Sequence, residues 1–355
     1  MKRLKSNTGF ISILASITSI IIGLLFGFVL LLILDAKNAP AGMANMLTNG
    51  ITNMGNVLYR SIPLILVGLS VAFAFKVGCF NIGASGQYTM GAVFALFCAL
   101  TWNLPWYVCL LAAILGGAFW GLFPGLFKSL FNVNEVITSI MMNWIGMNVS
   151  VFWVSNVKVM LASNPDRTMA LSTGNPSAIL PKLGLDKLYS NLNIGIFIAI
   201  LVAVIIWVVI SKTTFGYQLR ACGLNKDGAI YAGINAKLNV VLSMVIAGAL
   251  AGLGGGLYYL AGGAQFTLGK EIISTGFDGI SVALLANSHP IGCIFSAIFI
   301  SYLDLGGIAM QSQGYATEAT DIVTSVIIYL AAFSLLLRLT ITKFFGKEKK
   351  EVAKQ

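Results

Sequence analysis

The chain is poor in charge. Of its 355 residues only 10% are Asp, Glu, Lys or Arg, where a soluble domain carries about 25%. That shortage excludes an ordinary soluble fold. Histidine occurs once, at His289, and the five cysteines (Cys79, Cys98, Cys109, Cys222 and Cys293) are scattered with no CxxC pair. They are expected as small apolar residues, with neither disulfides nor bound metal. No GxxxxGK[ST] phosphate loop is present, so this chain is not expected to hydrolyse ATP itself. Alternating ten-residue segments are also missing, which argues against a β-barrel. The net charge of +10 does not point to nucleic acid. The basic residues sit mostly at the ends of apolar segments and in the C-terminal tail, where they anchor a protein to anionic lipid.

What is present is apolar. Hydrophobic residues make up 57% of the chain and its mean hydropathy is +0.88. Runs of about 20 apolar residues recur, the length that crosses a bilayer as a helix. The pattern predicts an all-α polytopic membrane protein in a single domain, 1–355. The apolar core of a first helix over 9–34 is too long for a signal peptide, so the helix is expected to be retained. A mixed stretch, 35–53, reads as an outside loop or interfacial helix. Spans follow over 57–75 (with Pro63 as a possible kink), from the 80–95 segment to about Trp102, and over 106–127, 132–154, 192–210, 238–261 and 321–339. The segment 276–287 is too short to cross alone, and His289-Pro290 breaks it from 291–305. These two read as a broken or re-entrant pair, giving about ten transmembrane segments. Two GxxxGxxxG ridges, Gly117/Gly121/Gly125 and Gly248/Gly252/Gly256, predict close helix contacts.

Charge gives the segments sides. With both termini cytoplasmic, 15 of the 22 Lys and Arg fall inside and 7 outside. The loop 157–191, with Pro165, Pro176 and Pro181, is then external, and the tail 340–355 is cytoplasmic. So is the polar loop 212–237, KTTFGYQLRACGLNKDGAIYAGINAK, which carries four basic residues against Asp227 and reads as two short helical pieces broken at Gly223, Leu224 and Asn225.

Asn81, Gln87, Asn143, Asn148, Gln265, Asp278, Asn287 and Gln311 lie in or beside apolar runs. Facing lipid they are costly, so they line a pathway or join helices, and joining is commoner for any single residue. Glu135 and Asp278 stand near segment starts, as helix N-terminal caps or structural hydrogen-bond partners, or else on a proton route.

Four stretches, FNIGASGQYTMGA, VNEVITSIMMNWI, the loop running on into LNVVLSMVIAGALAGLGGGLYYL, and GFDGISVALLANSHPIGCIFSAIFISYLDLGGIAMQ, together resemble one family. It is that of the permease subunits of ABC importers for simple sugars and nucleosides, in the ribose/branched-chain amino acid permease superfamily. Within it the likeness is to nucleoside importers paired with a basic-membrane-protein-type lipoprotein. The resemblance implies the ABC-importer permease fold and transport by alternating access in a prokaryotic plasma membrane. It implies as partners a cytoplasmic ABC ATPase that binds the ATP, a second and related permease subunit, and an extracellular substrate-binding lipoprotein. No cofactor is implied for this chain. The loop becomes the coupling segment, with Phe215, Gly216, Tyr217, Leu219, Arg220, Gly223, Asn225, Tyr231, Ala232 and Gly233 at the ATPase contact. The path would be lined by Asn81, Gln87, Tyr88, Asn143, Asn148, Gln265, Phe277, Asp278 and Asn287, with Trp144 and Tyr258 as further rings for a base to stack on. One departure is plain: Ser85 stands where the family commonly has Glu.

Two rival readings use other features. An ATPase-independent secondary transporter or channel would need a functional midplane acid. Gly83-Ala84-Ser85-Gly86 followed by His289 is a weak match to rhomboid-type intramembrane serine proteases, with Ser85 as nucleophile and His289 as base.

Overall fold

The computed structural model describes residues 2–185, 189 and 192–333, with side chains from Thr18 onward. The tail 340–355, the end of the last expected span and parts of the 157–191 loop lie outside the described residues. Every extended element among them is helical: α1 (Lys2–Leu34), α2 (Ala39–Thr52), α3 (Met54–Phe75), α4 (Ala84–Thr101), α5 (Trp106–Phe131), α6 (Glu135–Asn156), the single turn α7 (Leu171–Gly174), α8 (Gly195–Lys212), α9 (Thr214–Leu224), α10 (Lys226–Tyr231), α11 (Ala236–Tyr259), α12 (Thr275–Leu285), α13 (Pro290–Met310) and α14 (Thr317–Ala332).

Six of these are long and apolar enough to cross a membrane, namely α3, α5, α6, α8, α11 and α13 (counted on to Gln313). Thr18–Leu34 of α1 and all of α12 are shorter apolar helices. The 80–102 segment forms α4, whose first turns carry Ser85, Gln87 and Thr89 and are buried by neighbouring helices. The stretch 35–53 is a helix rather than a loop. The two halves of the expected broken pair differ: α12 stays at 11 residues, whereas α13 runs past Leu305 to Met310 and is of spanning length. The pair breaks in consecutive left-handed residues, Asn287 (φ 51°) and Ser288 (φ 52°), just before Pro290.

Two compact units are present. One comprises the described residues up to 54 and from 299 onward. There α1 lies along α14, and Leu31, Met46, Leu303, Met310, Val323 and Ile327 form an apolar core. The Tyr315 hydroxyl donates to the Asp35 carbonyl at 3.2 Å, and the Tyr302 hydroxyl donates to the Leu47 carbonyl.

The other unit, residues 55–298, is built on α4, α5 and α11. The two glycine ridges interlock. A Cβ on Gly252 would lie 2.8 Å from the Cα of Gly117, and one on Gly248 would lie 3.0 Å from the Cα of Gly121. Gly91 of α4 meets Gly252 as well, and Gly255 meets the Tyr88 carbonyl. Backbones approach this closely only where side chains are absent, which is how helices associate when lipid supplies no hydrophobic drive. Asn132, left-handed at φ 53°, ends α5, and a Lys128–Glu135 ion pair of 2.8 Å spans the turn into α6. Asn134, not Glu135, caps α6, accepting from the Val136 N–H at 2.8 Å.

Candidate functional site

Entry into α4 is held by an amide cluster. The Asn81 and Gln87 side chains bond reciprocally: Asn81 Nδ2 donates to Gln87 Oε1 at 2.8 Å and Gln87 Nε2 donates to Asn81 Oδ1 at 3.0 Å. Asn81 Nδ2 also reaches Ser70 Oγ on α3 at 2.9 Å. From α6, Asn143 Oδ1 accepts the Gly86 N–H at 2.8 Å, and Asn143 Nδ2 donates to the Ile82 carbonyl at 2.9 Å. Asn143 thus takes up backbone groups at the start of α4 that the helix cannot bond itself. Asn81, Gln87, Asn143 and Tyr88 are all buried, at 0–1% exposure. The three amides and Ser70 bond one another and the backbone, within this one chain.

The remaining residues expected on the path are placed differently. Asn148 donates to the Trp144 carbonyl one turn back on α6, with both side chains exposed. Gln265 donates to the Thr168 carbonyl at 3.0 Å, where residues 266–268 pair with the 166–168 stretch. Phe277 and Asp278 lie on α12, Phe277 exposed and Asp278 half-buried, and Asn287 is exposed in the left-handed turn after it. The structure therefore groups Asn81, Gln87 and Asn143 and leaves Asn148, Gln265 and the α12 residues apart from them.

α12 is seated on α3 and α4 through glycines. Gly279 packs on Val67, Gly68 on Val282, and Gly276 on the backbone and hydroxyl of Ser85. Ser85 is fully buried and its Oγ has no hydrogen-bond partner among the described residues. The only histidine ring uses Nδ1 to accept, weakly, from the Gly292 N–H at 3.4 Å. A serine nucleophile needs a base hydrogen-bonded to it, and Ser85 has none among the described residues.

The 212–237 loop folds as two short helices, each opened by a side-chain cap. Thr213 Oγ1 accepts the Gly216 N–H at 3.1 Å, and Asn225 Oδ1 accepts the Gly228 N–H at 2.9 Å. Asn225 also closes α9, so the break falls where the sequence puts it. Of the expected contact residues, Leu219 is buried in its own chain and Phe215 is half-buried, whereas Tyr217, Arg220, Tyr231 and Ala232 are exposed. Sequence reasoning missed Leu224 (88% exposed) and Ile230 (52%), apolar side chains standing out of a polar loop beside Tyr231 (94%). Their signal was available as large aliphatics among charged neighbours. Only Gly233, at φ +80°, serves a turn as expected. Gly216 and Gly223 are helical, and they permit close approach to the end of α8 and to the 76–78 turn respectively.

Burial, then the Arg220 charge, pull the Lys76 amine below its ordinary value. Burial, then Lys76, pull the His289 imidazole below 6.5.

Comparison with known proteins fits this architecture. Residues 53–332 match the family described as branched-chain amino acid transport system / permease component. The chain belongs to this permease family. It is 35% identical over 350 residues to the guanosine ABC transporter permease protein NupP of Bacillus subtilis, covering 96% of this chain and 98% of that one. It is 35% identical over 354 residues to the nucleoside ABC transporter permease protein NupB of Lactococcus lactis, covering 97% of each. A glucose ABC transporter permease of Haloferax volcanii is 27% identical over 284 residues, 77% of this permease and 74% of its own length. No solved structure matches. As a member of the family the permease is a multi-pass membrane protein and not itself an enzyme.

Proposed function

We propose that this permease carries nucleosides inward across the plasma membrane, as the transmembrane subunit of an ATP-driven importer. The observation that carries the substrate class is the near-full-length 35% identity to permeases named for guanosine and for nucleosides, against 27% over three quarters of the chain for the one named for glucose. A cytoplasmic ATPase pair, a second permease subunit and an extracellular binding lipoprotein complete the machine, and both termini lie in the cytoplasm.

The geometry supports a route for force. Leu224, Ile230 and Tyr231 are exposed apolar side chains on a polar helix pair, the kind an ATPase groove would cover. Gly223 of α9 rests on the Lys76–Gly78 turn, which leads directly to Asn81. Asn81, Gln87 and Asn143 tie that turn to α3, α4 and α6. A push on α9 therefore reaches three helices through the packing of Gly223 and the hydrogen bonds of the amide cluster. In this reading the amide cluster is a rigid joint, and α12, seated on Ser85, presents Phe277 and Asp278 to the path. Ser85 suits that seat because a bulkier side chain would displace Gly276.

The test is uptake in cells. Deleting the gene should abolish accumulation of radiolabelled guanosine at micromolar supply and leave glucose accumulation intact, and a plasmid copy should restore it. Loss of glucose and not guanosine uptake would assign the substrate to the sugars.

A further inference from the structure

A cavity of about 430 Å³ lies away from the amide cluster, where α3 begins and α11 ends. Its walls are Tyr59 of α3, Tyr258 of α11, Ile179 and Lys182 of the 157–191 loop, and the turn 261–264. The volume is in the range of small-molecule sites. The two tyrosine rings stack on each other with centroids 5.9 Å apart and planes 25° from parallel. Both are half-buried, and the Tyr258 ring also packs edge-on against Tyr259, with centroids 5.2 Å apart. The Tyr59 hydroxyl reaches the Tyr258 carbonyl at 3.4 Å, a long contact. The Tyr258 hydroxyl and the N–H groups of Gly263 and Ala264 make no hydrogen bond among the described residues. The turn is open at Gly263: a Cβ there meets nothing nearer than the Tyr59 hydroxyl, at 4.0 Å.

The chemistry is specific. A flat aromatic step beside uncommitted backbone donors and a hydroxyl matches a planar heterocycle carrying hydroxyls. It matches a bare sugar less well, because the two tyrosine rings would then have no planar partner. Stacking of a base on an aromatic side chain is a large and sequence-tolerant source of affinity. We propose that this cavity is an outer nucleoside subsite of the permease, in which the base stacks on the Tyr59–Tyr258 step. This rests on the nucleoside reading above and on the loop 157–191 being external. There it would take substrate from the binding protein before the path opens.

The experiment uses the full chain in lipid nanodiscs and tritiated guanosine at equilibrium. Guanosine should bind saturably, and adenosine should displace it far better than ribose. Tyr258→Ala removes half of the step, and Gly263→Leu fills the cavity from a position with room for a side chain. Each should weaken guanosine binding about tenfold or more, while Tyr258→Phe, which keeps the ring, recovers most of the affinity. Thermal midpoints close to that of the parent show that the variants are folded. Unchanged guanosine affinity in both Tyr258→Ala and Gly263→Leu, no binding to the parent chain, or equal displacement by ribose overturns the subsite. ATP-driven guanosine uptake by the assembled transporter, measured in parallel, separates the two claims. If uptake is normal in both variants, the subsite alone falls. If the parent transports no nucleoside, the reading beneath it falls.

Discussion

At the scale of residues, the polar side chains of this permease divide by what they bond. Asn143 serves two backbone groups at the start of α4, and losing it leaves the buried Gly86 N–H and the half-buried Ile82 carbonyl unpaired. Such a loss costs about 1–3 kcal/mol. Asn143→Leu should therefore lower the thermal midpoint of the detergent-solubilised chain by several degrees. Asn148→Leu, which gives up only a bond to its own helix on an exposed face, should leave it nearly unchanged. Equal shifts would mean that the cluster is not the joint described. The sequence marked Asn81, Gln87 and Asn143 as costly in lipid, and left open whether they line a path or join helices. Only distances could decide, because an amide on a helix looks the same in either role. His289, as the chain's single histidine, gives a residue-specific pH probe. Its imidazole, pulled down by partial desolvation and then by Lys76, should titrate below 6.5 by nitrogen NMR, and Lys76→Met should raise that midpoint. The sign for stability follows. The folded chain binds this proton more weakly than the unfolded one, so His289 lowers stability as pH falls through 6.5 and has no effect well above it. A midpoint at or above 6.5 would separate Lys76 from His289.

At the scale of elements, α5 and α11 show how far a pattern carries. Each GxxxGxxxG ridge was legible as a helix contact. That the two ridges meet each other was not, because period and residue size say nothing about the partner. Gly252 lies where α4, α5 and α11 converge, so Gly252→Val should prevent assembly of a monodisperse chain in size-exclusion chromatography. Gly263→Ala, in open space, should elute like the parent. The α9–α10 pair was legible as two pieces, with its Asn225 break, because caps are local chemistry. Its outward face was not legible, since Leu219 and Tyr231 look equally available until packing buries one and exposes the other. α13 was underestimated because the glycines and glutamines that follow Leu305 read as a turn. A paired substitution tests the face: Leu224→Ser with Tyr231→Ser should leave the thermal midpoint unchanged yet reduce transport-coupled ATP hydrolysis about tenfold or more, as loss of buried interface anchors does. Gly223→Val should uncouple as well, by forcing α9 off the 76–78 turn.

At the scale of the whole molecule, scarcity of charge and repetition of apolar runs were enough for an all-helical membrane protein, and four motifs in order were enough for the family. Composition could not supply the cargo, which is fixed by a few contacts and not by the fold. The central claim is that this chain moves solute only when an ATPase drives it through the α9–α10 surface. The direct measurement is guanosine entry into proteoliposomes holding the permease pair, with the binding protein outside and the ATPase added or omitted. Entry should require ATPase and ATP together and should vanish in the Leu224→Ser/Tyr231→Ser variant. Entry at the same rate without the ATPase, driven by an ion gradient or by the solute's own gradient, would contradict the account.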